Sequence, residues 1–148
     1  MLGIAFSGMD AITWALADFG LEGKYKHLYS IDVSPSCRRL ISQNTMVQKN
    51  SIFGDISTVN VHMLPYTDMF VAGFPCQPFS PAGKREGQKD SDGRGDMFKY
   101  CKDIIEYHKP KLFLLENVAD LAERTQIRPT FHKDHDGPCI PEDLSNQI

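Results

Sequence analysis

In GFPCQPFS, residues Gly73 to Ser80, a cysteine stands between two prolines, just after the apolar run DMFVA. Proline locks its own φ and removes a backbone donor, so Pro75 and Pro78 would hold Cys76 in a narrow range of backbone angles. A core thiol has little need of that; a nucleophile does. Thiolates attack best when partly exposed near positive charge, and Lys84 and Arg85 follow closely. A second reactive group, Glu116, ends the apolar run KLFLL, with Asn117 beside it. A carboxylic acid kept protonated by burial there could donate to a ring nitrogen. Asp32 and Asp55 end two earlier apolar runs, and FSG (Phe6 to Gly8) follows the first. Taken singly, such an aspartate is most often a cap or turn residue, and a lone cysteine a small core hydrophobe.

These groups need a frame, and the sequence supplies one. LGIAF, KHLYSID, SIFGDI, DMFVAGF and KLFLLENV read as five strands. AITWALADFG carries apolar residues at helical spacing with Gly20 as its stop. SPSCRRLISQN has Ser34 placed to cap and Pro35 at the first helical position. DMFKYCKDIIEYHK is a third helix. Strands alternating with helices predict a doubly wound α/β fold with a mostly parallel sheet. In such sheets ligands bind beyond the carboxyl ends of the strands, where all the reactive groups fall. A glycine turn after the first strand and an acid after the second suit a nucleoside cofactor.

The chain has 148 residues, enough for one domain with a real core. A formal net charge of −3 argues against a freestanding basic clamp for nucleic acid. It leaves room for a nucleic-acid enzyme whose basic surface lies on another domain or a partner. Cys37, Cys76, Cys101 and Cys139 show no paired spacing, which suggests reduced thiols in an intracellular, soluble protein. No apolar stretch approaches the roughly 20 residues of a membrane span. Residues 80–96 are long, polar and glycine-rich, the mark of a functional or disordered loop. Residues 122–148 read as an irregular tail after a first unit of 1–121. Its HKDHDGPC offers two histidines and one cysteine, short of a zinc site, so no metal is expected.

In order and spacing, these motifs resemble those of the DNA cytosine-5 methyltransferases, from about Gly3 to Leu121. GFPCQPFS is similar to the nucleophile motif and LENV to the proton-donor motif. FSG and GDI resemble cofactor-loop motifs, and DSDGRGDMF the segment after the active-site loop. The resemblance implies a Rossmann-like methyltransferase fold that uses S-adenosylmethionine. By it, Cys76 would attack C6 of a cytosine flipped out of DNA, and Glu116 would assist at N3. Asn117 would brace the nucleophile loop, and Arg94 would make a contact near the active site. Asp32 would take the ribose hydroxyls, Asp55 the adenine amino group, and Ile56 the adenine ring. Phe6, Ser7, Gly8, Pro75 and Met97 would complete the cofactor pocket.

The chain also departs from the family pattern. Ile4 stands where the family has an acid, and Asp10 and Ala11 where it has glycines. Asp10 would add negative charge near the cofactor, weakening binding or meeting its ammonium group. The later arginine-bearing strand motif, the target-recognition region and the last helix are not visible after Leu121. The fold is therefore expected to be incomplete at its C-terminal end. KLFLLE is expected to be buried on both faces but to lack a neighbour on one edge. A second polypeptide supplying the missing part is one expectation. A catalytically inactive or partner-dependent cofactor-binding regulator is another, and a tRNA cytosine-5 methyltransferase a third. The resemblance places the protein in the nucleus of a eukaryote or the cytoplasm of a bacterium.

Overall fold

The computed structural model describes residues 1–44, 47–75 and 97–117. Among these, five parallel strands form one sheet: β1 (Leu2–Ala5), β2 (His27–Ile31), β3 (Ile52–Phe53), β4 (Met69–Gly73) and β5 (Leu112–Glu116). Their order is β3-β2-β1-β4-β5. The chain thus steps from β1 outward through β2 to β3, then returns to the other side of β1 for β4 and β5. The crevice where this direction reverses lies between β1 and β4, at their carboxyl ends.

Helix α1 (Ala11–Asp18) joins β1 to β2, α2 (Pro35–Asn44) joins β2 to β3, and α3 (Met97–His108) precedes β5. Ser34 caps α2 as the sequence predicts, accepting a hydrogen bond from the Cys37 backbone N–H at 3.4 Å. Between β3 and β4 two short 3₁₀ turns, Ile56–Thr58 and Val61–Met63, replace a helix. Asp55 and Asn60 cap them, each accepting from the N–H two residues on. Such local bonds favour turns over a continuous helix.

The sheet has two unequal faces. On one, Ala5, Tyr29, Ile31, Phe70 and Ala72 meet Cys101, Ile104 and Ile105 of α3 in the main core. Full burial of an isoleucine such as Ile105 contributes about 2 kcal/mol. Tyr29 lies flat over its ladder partner Gly3, where a Cβ would collide with the ring. On the other face, Leu2, Ile4 and Val71 are covered by Ile12 and Leu16 of α1. The β1–β2 ladder carries a bulge there, with His27 opposite Leu2 but Tyr29 opposite Gly3.

β5 corrects one expectation. It is not buried on both faces: Leu112 is 57% exposed and Leu114 48%. Its other face, Phe113 and Leu115, does pack against the α3 core. α1 is centred over β1 and β4, so its cover stops short of the edge strand. Among the described residues, no helix is long and apolar enough to cross a membrane.

Candidate active site

After β1 the chain makes a tight turn in which Phe6 (φ 53), Gly8 (φ 55) and Asp10 (φ 67) all adopt left-handed backbone. Left-handed geometry is disfavoured for a bulky residue such as phenylalanine. It persists because the turn is tied to β2. The Ser7 N–H donates to the Ile31 carbonyl at 3.1 Å, and the buried Ser7 hydroxyl reaches the Ile31 and Ile4 carbonyls. The Gly8 N–H donates to Asp32 Oδ2 at 2.7 Å. Among the described residues, a Cβ at Gly8 would meet nothing within 4 Å, so the turn is open on that side.

Asp32 stands at the end of β2, half-buried, and accepts a second backbone bond from Ser34 at 2.8 Å. Among the described residues each carboxylate oxygen accepts one hydrogen bond, which leaves a further lone pair for a hydroxyl. Arg38, one turn into α2, donates to the Asp32 and Val33 carbonyls at 2.8 and 2.7 Å. This holds the strand end in place. Val33 beside it is an apolar side chain 71% exposed. A fixed carboxylate next to an open glycine turn fits a ribose diol, so the donor set agrees with a nucleoside cofactor such as S-adenosylmethionine.

At the end of β3, Asp55 is exposed, and its Oδ1 accepts from the Ser57 N–H and hydroxyl. The backbone bond, then the hydroxyl, holds the Asp55 carboxyl below its usual range. Ile56 turns inward instead, into the core beneath α3. There it lines a cavity of about 140 Å³ with Val59, Tyr100 and Ile104. Phe6 and Met97 are half-buried and pack against the same core.

The ends of β4 and β5 lie side by side, with Gly73 paired to Glu116. A Cβ on Gly73 would sit 3.3 Å from Glu116 Oε2, so the carboxylate occupies space that glycine leaves open. Glu116 is exposed at the strand end, without the burial anticipated for it among the described residues. Asn117 Nδ2 donates to the Phe74 carbonyl at 3.0 Å, across the gap between the two strand ends. Phe74 packs against Phe98 of α3, ring centroids 5.6 Å apart. Half-buried Pro75 is therefore delivered beside Glu116 from a well-held Phe74. Cys76 and Arg94 lie outside the described residues, as do the 80–96 loop and the 122–148 tail. Cys101 is a plain core thiol, which burial pushes up to about 12.

Asp10 corrects a second expectation. Its side chain is fully buried and turned toward β2, with Oδ2 3.6 Å from His27 Nδ1, and does not face a cofactor. Desolvation pushes its carboxyl up to about 7 and lowers the His27 imidazole. Sequence reasoning also passed over Arg38 and Gly73. A basic residue one turn into the helix after Asp32, and a glycine closing an otherwise apolar strand, were the available signals. Among the described residues, no group of three or more metal-ligating side chains comes together.

The chain matches the family model for C-5 cytosine-specific DNA methylase over residues 5–133. It is 48% identical over 117 residues to the type II methyltransferase M.NgoBI of Neisseria gonorrhoeae, covering 79% of this chain and 34% of that protein. With the type II methyltransferase M.NlaIV of Neisseria lactamica the identity is 36% over 105 residues, covering 71% of this chain and 24% of the relative. It thus spans about a quarter to a third of the length of these relatives. The fold also matches the crystal structure of S. pombe Dnmt2 methyltransferase, with a TM-score of 0.59 and 21% identity. That match covers 82% of this chain and 37% of the other. Together with the motifs on the strand ends, the family match means that this chain belongs to the C-5 cytosine-specific DNA methylases.

Proposed function

We propose that this chain carries the cofactor-binding and nucleophile-bearing part of an enzyme that methylates C5 of cytosine in DNA. The observation that carries the reading is the pairing of Gly73 with Glu116, with Asn117 bonded to the Phe74 carbonyl. It brings the strand leading to Cys76 and the proposed proton donor to one point of the sheet. S-adenosylmethionine, when bound, supplies a methyl group activated by its sulfonium charge. Asp32 would accept from the ribose hydroxyls and Asp55 from the adenine amino group, and the Phe6 to Gly8 turn, with Pro75 and Met97, would shape the cradle.

The Cys76 thiolate adds to C6 of a cytosine extruded from the duplex, breaking the C5–C6 double bond. Glu116 assists at N3, so negative charge does not collect on the ring. C5 would then bond to the methyl group of bound S-adenosylmethionine as the methyl–sulfur bond breaks, the sulfur keeping that electron pair and leaving as a neutral thioether. Loss of the C5 proton to a solvent base restores the double bond and expels the thiolate. Asn117 holds the backbone two residues ahead of Cys76, and Arg94 contacts the active site from the following loop. A second polypeptide or chain segment supplies target recognition, and the exposed Leu112 and Leu114 support such a docking partner.

Transfer of radiolabelled methyl from S-adenosylmethionine to unmethylated mixed-sequence DNA, beside Cys76→Ser, tests this reading. The proposal expects incorporation in DNA that the substitution abolishes. Incorporation in tRNA alone would reassign the substrate. Binding of S-adenosylmethionine with no transfer would leave a cofactor-binding regulator.

A further inference from the structure

The residues so far assigned leave a buried polar cluster beneath the glycine turn without a role. Asp10 closes that turn: its N–H donates to the Ser7 carbonyl at 2.7 Å, and its own carbonyl accepts the Thr13 N–H and hydroxyl. Its position favours a side chain that caps α1, yet the carboxylate makes no capping bond. It is buried instead, and among the described residues neither oxygen has a hydrogen-bond partner. An unpaired buried carboxylate is strongly disfavoured unless something compensates.

The compensation lies on β2. The bulge at Leu28 brings His27 and Ser30 to one face, with His27 Nε2 2.9 Å from Ser30 Oγ and 3.1 Å from the Tyr29 carbonyl. That carbonyl can only accept, so Nε2 carries the ring proton and Nδ1 presents a lone pair. An ionised Asp10 would set its charge against this lone pair. A protonated Asp10 would donate to it and satisfy Oδ2 and Nδ1, two of the three orphaned atoms of the pair, with a small closure of the 3.6 Å gap. Among the described residues, Tyr25 is a further titratable group coupled to Asp10, with Glu22 behind it, both on the segment leading into β2. The hydrophobic side chains packed together on this side of β1, β4 and α1 are Leu2, Ile4, Met69, Val71, Ile12 and Leu16.

We propose that Asp10 is a positioning residue for the cofactor turn, tying it to the interior of β2 through a pair with His27 that holds a single proton. Ser7 and Gly8 already fasten the front of the turn to the end of β2, and Asp10 fastens its back. Loss of the shared proton to solvent breaks the rear tie and loosens the Gly8 cradle. The consequence for cofactor affinity rests on the proposed function; the tie itself does not.

Backbone amide and His27 ring resonances of the full chain, followed by NMR from pH 5.5 to 8.5, test the tie. The Gly8 amide should titrate together with the His27 ring, with a midpoint near 7, where Asp10 loses its proton. Asp10→Asn should flatten the Gly8 response, and His27→Gln should do so from the other side. A Gly8 amide that is constant in the wild type, or still titrates in a folded variant, overturns the proposal. Calorimetric titration with S-adenosylmethionine at pH 6.5 and 8.5 should show affinity at least about 5-fold weaker at the higher pH. Equal affinities overturn the claim that the pair sets the grip on cofactor. No binding at either pH, with Gly8 still titrating, overturns the cofactor reading and leaves the tie standing.

Discussion

Glu116 and Gly73 face each other across one ladder position, and the carboxylate rests where a β-carbon on residue 73 would press at 3.3 Å. Gly73→Ala therefore displaces the proposed proton donor without touching the cofactor turn. The carboxylate need shift by only a few tenths of an ångström, well short of the misplacement by about 1 Å that can cost about 100-fold in rate, so kcat should fall by about 2- to 10-fold. S-adenosylmethionine affinity should be unchanged, as read by calorimetry beside steady-state kinetics. Asp10 and His27 give a pH prediction. Burial raises the Asp10 carboxyl from 3.8 to about 7, so this group costs stability progressively as pH rises between those values. His27 is lowered from 6.5, so it adds stability as pH rises toward 6.5. The two offset through the mildly acidic range, and a net loss emerges above about pH 6.5. Thermal unfolding should show a plateau and then a fall toward pH 7.5 in the wild type. Asp10→Asn should abolish the fall. Asp32 and Asn117 stand out in the sequence because Asp32 directly follows an apolar run and Asn117 comes one residue after another. The Asp10–His27 pair is not, since it is made by tertiary folding and a bulge that hydrophobic alternation does not reveal.

The strands and helices follow the periodicity of the sequence closely, because apolar runs of a parallel sheet and amphipathic helices leave distinct patterns. Two features escape that logic. The β3–β4 connection turns on Asp55 and Asn60, whose side chains bond the backbone locally and win over helix. The β5 sequence looks uniformly buried, yet Leu112 and Leu114 are exposed, because burial depends on where α1 ends and not on composition. At this scale the sharpest constraint is the contact between β1 and β2. Gly3→Ala would drive a methyl into the Tyr29 ring, which is itself fully buried under the core. Overpacking of this kind costs about 1–3 kcal/mol. Urea unfolding should show a lower midpoint with an unchanged slope.

Across the molecule, β2, β1, β4 and β5 each end in a group with a proposed part in one reaction. The parallel sheet gathers these groups from distant points of the chain without any helix or loop having to carry them. The family match and the ordered strand ends support the proposed cytosine-5 methylation, and the covalent step at Cys76 is the claim on which the proposal turns. DNA bearing 5-fluorocytosine tests it most directly. Once the thiolate has added at C6 and C5 has taken the methyl group, fluorine at C5 cannot leave as a proton would, so the adduct persists. The account predicts a denaturant-stable protein–DNA species that requires S-adenosylmethionine and disappears in Cys76→Ser. Absence of that species in the wild type, or its survival in Cys76→Ser, would contradict the assignment.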